Sequence, residues 1–155
     1  MKSRTMTGDN GARTFVIVLD PGEEMLTALT AFAIDNRIAG ASLTAIGAFE
    51  ATTVGWFDFE TKDYRRIPVQ SQSEVLSATG DVAEDDAGQP VLHVHVVLGL
   101  SDGSTRGGHL LDGTVNPTLE IVLVETSKDL RRRRRPDLGI ALIDLDLTPS
   151  GPARS

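Results

Sequence analysis

Cysteine is absent from this 155-residue chain, which excludes disulfides and thiolate metal sites. Aromatic residues make up only 5% of it, so a core must be built mainly from Val, Ile, Leu and Ala. No apolar run approaches the ~18 residues of a membrane-spanning helix. Met1 to Ala12 is polar and Gly-containing, without the apolar stretch of a secretory signal. A soluble, cytoplasmic protein is the expectation. G-x-S-x-G and P-loop patterns are also missing, so neither a nucleophile motif nor a phosphate loop points to chemistry.

What is present suffices for one domain. The 40% hydrophobic content is adequate for a core, and a chain of this length buries roughly two-thirds of its unfolded surface. The net charge of −7 is unevenly spread. Lys128 and Arg131 to Arg135 supply +6 and Asp129 subtracts one, leaving −12 on the rest of the chain. An acidic body is a poor surface for duplex DNA, where phosphate neutralisation supplies most non-specific affinity. The arginine run is where such affinity could reside.

Arg13 to Leu19 (RTFVIVL) reads as a buried strand, broken by Asp20-Pro21-Gly22. Glu23 and Glu24 then favour a helix start, and Met25, Leu26, Leu29, Phe32 and Ala33 recur at helical spacing. One helix is expected to run to about Arg37, with Gly40 as its stop. Strands follow over 42–49, 52–59, 64–69, 74–83, 91–100, 105–111, 118–126 and 140–147, with a hairpin at Ser101-Asp102-Gly103-Ser104. This order describes an α+β domain, a largely antiparallel sheet covered by one early helix. We expect disordered tails over 1–12 and 149–155 around a single domain over 13–148. So small a cover leaves apolar sheet surface, which self-association would bury.

All three histidines fall within LHVHVVLGLSDGSTRGGHL. His93 and His95 leave the same face of one strand. His109 lies on the returning strand, and the hairpin register decides where it points. A two-residue turn turns it away from His95, and a three-residue loop puts the two directly opposite. A bulge at Gly107-Gly108 would set it diagonal to His95 on the same face. Three convergent imidazoles can hold Zn²⁺ or a similar divalent ion with a position left for water or ligand. The competing reading is three ordinary, partly buried strand residues. Glu120 is a candidate general acid or base on the next strand, against a plain solvated carboxylate. Asp112 reads as a turn former.

The ordered set GEEMLTALTAFA, IGAFEATTVGWFD, EVLSATGDV, LHVHVVLG and GGHLLDGTVNPTLEIVL resembles the plants and prokaryotes conserved (PPC) domain, most strongly over residues 13–126. The resemblance implies a homotrimer and a divalent metal, often zinc, near a subunit interface. Residue by residue it carries over to His93, His95 and His109, with Gly107 and Gly108 matching a glycine pair. It also brings the label of a predicted DNA-binding protein. In the plant members DNA contact comes from a separate R-G-R-P hook, and the domain serves trimerisation and contacts with other regulatory proteins. Here Arg131, Arg132, Arg133, Arg134 and Arg135 precede Pro136 without the glycine, after the matched region. The expected function is a trimeric, metal-binding regulatory or DNA-binding domain. The alternative is a metal-dependent enzyme acting on a small substrate.

Overall fold

The computed structural model describes residues 1–9, 11–126 and 130–146. Along RTFVIVL, Phe15, Ile17 and Leu19 are fully buried while their neighbours are half-buried, so this run forms an interior strand, β2 (Arg13–Leu19). It follows β1 (Lys2–Thr7) and leads into α1 (Met25–Asp35). Then come β3 (Gly40–Asp58), β4 (Asp63–Val69), β5 (Ser73–Glu84), β6 (Pro90–Gly99), β7 (Thr105–Glu125), β8 (Arg132–Arg135) and β9 (Ile140–Ile143). The expected α+β architecture, an antiparallel sheet with one early helix, is the one observed.

Seven strands pair antiparallel in the order β1-β2-β7-β6-β5-β3-β4. β3 also pairs along β7, which closes β3, β5, β6 and β7 into a ring. β8 and β9 form a separate two-stranded hairpin, tied to β5 by a bridge between Glu84 and Arg131. Helix α1 buries Met25, Leu29, Phe32 and Ala33, and the Phe32 ring meets Phe15 edge-on at 5.3 Å.

The helix is capped by a glutamate, a less usual choice than Ser, Thr, Asp or Asn. The Glu24 carboxylate accepts from the backbone N–H groups of Leu26 and Thr27, from Thr27 Oγ1, and from Gly113 N on β7. Burial pushes its pKa up, but the bonds from Thr27, Leu26 and Gly113 together outweigh that and hold it below the usual value. One side chain thus starts α1 and fastens it to the sheet.

Several boundaries differ from expectation. Residues 2–7, expected to lie in a disordered tail, form a strand paired with β2 from Lys2↔Val18 to Thr7↔Arg13. Its side chains are all exposed, so no hydrophobic alternation advertises it. The ammonium of Met1 holds the end down on Asp20 and Glu23 at 2.7 and 2.9 Å. The separate strands expected over 42–49 and 52–59 are one, β3, which passes through its irregularities without a turn. Those expected over 105–111 and 118–126 are likewise one, β7. Asp112 is therefore no turn former: it sits within β7 and accepts from Arg66 at 3.0 Å. Pro117, which has no N–H to give, falls where the ladder to β3 is interrupted, between Val115 and Leu119. The helix ends at Asp35, ahead of Arg37, whose φ of 53° is left-handed. Gly40 opens β3. β9 ends at Ile143, and residues 149–155 lie outside the described residues.

Candidate metal centre

On β6, buried Val94 and Val96 alternate with His93, His95 and Val97, so the histidines stand on the face turned away from the core. The hairpin to β7 has a three-residue loop: Leu100 N donates to Ser104 O, and the first rungs are Gly99↔Thr105 and Leu98↔Arg106. His95 is therefore directly opposite His109, without a bulge at Gly107-Gly108. The double glycine has a different cause. A Cβ on Gly108 would lie 2.6 Å from Gly55 O, and one on Gly107 2.9 Å from Val96 O, so both sides of β7 are approached closely by backbone.

One ligand nitrogen from each ring lies within 4.8 Å of the other two. His93 Nε2 and His95 Nε2 are 3.3 Å apart. Two nitrogens bound to one tetrahedral zinc at ~2.0–2.1 Å are separated by roughly 3.3 Å, so this pair already has the spacing such an ion requires. The third ring, His109, has a buried Nδ1 without a hydrogen-bond partner among the described residues. Burial, and then the neighbouring charges of His93, His95 and Arg132, push the pKa of His109 down to about 4. His93 is also lowered, first by burial, then by Arg132 and His95, against the opposing pull of Asp81. Both rings are thus held neutral, the form that can donate a lone pair to a metal. The donor set fits a divalent ion of intermediate softness such as zinc.

Three residues that the sequence did not place at the metal site surround the cluster. Tyr64 on β4 stacks on His109 with ring centroids 4.6 Å apart. Asp81 on β5 pairs across from His93 and puts Oδ2 3.9 Å from its Nδ1. Arg132 is buried, and its Nη2 donates to both Asp81 oxygens at 2.9 and 2.8 Å and to His93 Nδ1 at 2.9 Å. Arginine can only donate, so in the metal-free protein the ring proton of His93 sits on Nε2. With a metal ion held at Nε2 the ring proton would sit on Nδ1, facing Arg132 Nη2 at 2.9 Å and Asp81 Oδ2 at 3.9 Å, so the Arg132–His93 contact would have to open for Asp81 to accept it. The only signal for Asp81 was its place in the alternation of SATGDV, since the pairing that brings it to His93 is non-local.

Other candidates lie elsewhere. Glu120 pairs with Val18 and Ile46, whereas His109 pairs with Gly55, so the carboxylate is well along β7 from the histidines. It lines a separate 340 Å³ depression with Val16, Ile46, Leu76 and Val122. As a general base for this centre it is misplaced, because β7 continues where a second, returning strand was expected. The arginine run forms β8 and contacts the acidic body. Arg131 pairs with Glu84 at 3.0 Å, Arg132 with Asp81, Arg133 with Asp144 at 3.6 Å and Arg135 with Asp137 at 3.1 Å. Lys128 and Asp129 fall outside the described residues. No helix among the described residues is long and apolar enough to cross a membrane.

Comparison with known proteins agrees with this architecture. A plant- and prokaryote-conserved protein from Pyrococcus horikoshii is 33% identical, with a TM-score of 0.81 over 94% of this chain and 97% of its own. A "putative DNA binding protein" from Bacteroides thetaiotaomicron is 29% identical, with a TM-score of 0.84 over 94% and 99%. A metal-containing protein from Archaeoglobus fulgidus is 29% identical, with a TM-score of 0.78 over 92% and 99%. The Bifunctional protein GlmU of Synechococcus sp. (strain JA-3-3Ab) is 30% identical over 151 residues, which are 92% of this chain and 23% of that protein. The chain thus spans less than a quarter of the length of the curated relatives it matches. The model of the Plants and Prokaryotes Conserved (PCC) domain matches residues 6–127, and the chain belongs to that family.

Proposed function

We propose that this chain is a homotrimeric PCC-domain module in which His93, His95 and His109 bind one divalent metal, best met by zinc, in the service of regulatory recognition. The convergence of three imidazoles, with ligand nitrogens within 4.8 Å of one another and the His93–His95 pair at 3.3 Å, carries the reading. The metal-containing relative from Archaeoglobus fulgidus supports it. When bound, the ion would supply a Lewis-acidic position for a ligand oxygen. Around it, Asp81 faces the His93 ring at 3.9 Å, and Tyr64 shields one face of His109. Untagged protein should carry close to one equivalent of divalent metal per chain by elemental mass spectrometry, and a His93→Ala, His95→Ala double variant close to none. Metal-free protein that takes up none on reconstitution would remove this reading.

Assembly is supported by the apolar residues left on the face away from the core. Ile46, Leu76, Val97, Val122 and Val124 are exposed together with the half-buried Val16 and Val18. Burying such surface between copies is favourable at roughly 25 cal/mol per Å². Sedimentation equilibrium should give three times the 16.6 kDa chain mass, and Ile46→Asp with Val122→Asp should give single chains. A wild-type monomer would refute the trimer.

The name of the Bacteroides relative favours a second reading, DNA contact, and the arginine hairpin is where this chain would make it. Arg133, Arg134 and Arg135 are exposed. If they meet phosphates, binding to a duplex should weaken steeply with salt, and serine at all three should flatten that slope. Equal binding by wild type and triple variant would exclude this surface.

A further inference from the structure

Arg132 grips the body of the domain through a single nitrogen. Its Nη2 donates to both Asp81 oxygens at 2.9 and 2.8 Å and to His93 Nδ1 at 2.9 Å. Nη1 makes only a long contact, 3.4 Å, with Ala141 O inside its own hairpin. Nε has no hydrogen-bond partner among the described residues. The side chain is nonetheless buried. The two hydrogens of Nη2 are therefore divided between one carboxylate and one ring of the histidine cluster.

The rest of the β8–β9 hairpin is held lightly. Ile140 and Leu142 face Leu92, His93, Tyr64 and His109 across a cavity of about 280 Å³, so their apolar contact with the sheet is incomplete. Polar ties are few: the Arg131–Glu84 pair at the base, at 3.0 Å, and Arg134 N donating to Asp86 Oδ2 at 3.3 Å. Loss of the Nη2 bonds would leave Arg132 with no reason to stay inside.

Resting on the reading of His93, His95 and His109 as metal ligands, we propose that Arg132 is a latch that metal binding opens, docking the hairpin in the metal-free protein and releasing it in the loaded one. A metal ion takes the lone pair of His93 Nε2, so the ring proton sits on Nδ1 and meets an arginine N–H, donor against donor. The ion also brings positive charge to within one imidazole ring of a buried guanidinium. Both effects fall on the one nitrogen that ties Arg132 down. Asp81 Oδ2, 3.9 Å from Nδ1, then passes from Arg132 to His93 and becomes the positioning residue of the metal centre. Opening the latch draws on the metal's preference for the released form, so removing Arg132 tightens the metal.

The test is amide hydrogen exchange of the full chain, metal-free in chelator and loaded with zinc, beside a zinc competition titration. In the wild type, exchange over 132–143 should quicken at least tenfold on loading, with β2 unchanged. Arg132→Met should bind zinc at least tenfold more tightly, and its exchange over 132–143 should no longer respond to zinc. Adding Asp81→Ala to Arg132→Met should then weaken zinc at least tenfold. Nitrogen NMR of the imidazoles reads the exchange of partners itself. The His93 proton should be on Nε2 in the metal-free wild type and on Nδ1 in metal-free Arg132→Met. Zinc uptake with unchanged exchange over 132–143, or with equal affinity in Arg132→Met, would overturn the latch and leave the metal centre standing. No zinc uptake by either protein would remove both.

Discussion

Gly80→Ala should lower stability by about 3 kcal/mol and weaken metal binding at least tenfold, in one substitution of one methyl group. Gly80 lies in β5 between Leu43 of β3 and Val94 of β6. A Cβ there would come 2.1 Å from His93 O and 2.9 Å from Val94 Cα. Both are backbone atoms of the strand that carries the histidines, so no side chain can rotate to make room. β6 must move, and His93 and His95 move with it relative to His109. Urea denaturation and a zinc competition titration read the two effects. A variant as stable as wild type, with unchanged zinc affinity, would show that β5 and β6 are not packed as closely as described.

Asp81→Ala has the second-largest expected effect, because it strands a buried cation. Arg132 has both Asp81 oxygens as its charge partner. Removing one partner of a buried pair typically costs 3–5 kcal/mol, whereas replacing both with apolar groups can be neutral. We expect about 3 kcal/mol, with faster amide exchange over 132–143 as Arg132 leaves the interior and takes the β8–β9 hairpin with it. Adding Arg132→Met to Asp81→Ala should recover part of that loss. Strictly additive effects in the double variant would mean that the pair does not hold the hairpin.

These two expectations also mark where the sequence was legible. The helix at Met25 and the strands around Phe15, Val94 and Ile121 show their periodicity directly, because each buries one face locally. The polar strand β1 shows none, because backbone pairing and the Met1 ammonium hold it, not a buried apolar face. Asp112 and Asn116-Pro117 look like turn material, yet β7 runs through them. Its continuity is set by pairing with β3, a partner far away in sequence. The histidine cluster was legible as a set but not in register. Loop length chose between three geometries, and residues 101–103 chose the one that puts His95 opposite His109. The place of Asp81, Tyr64 and Arg132 at this site was hidden because each reaches it from a different, sequence-distant element, and Arg132 read only as a candidate DNA contact. Glu120 was misjudged for the converse reason, being near in sequence but far along one strand.

The most direct test of the metal centre is an anomalous difference map, collected at the zinc edge from crystals of the zinc-loaded full chain. The account predicts one peak per subunit, ~2.0–2.1 Å from an imidazole nitrogen of each of His93, His95 and His109. A map with no peak there, or with zinc held by other residues, would contradict it.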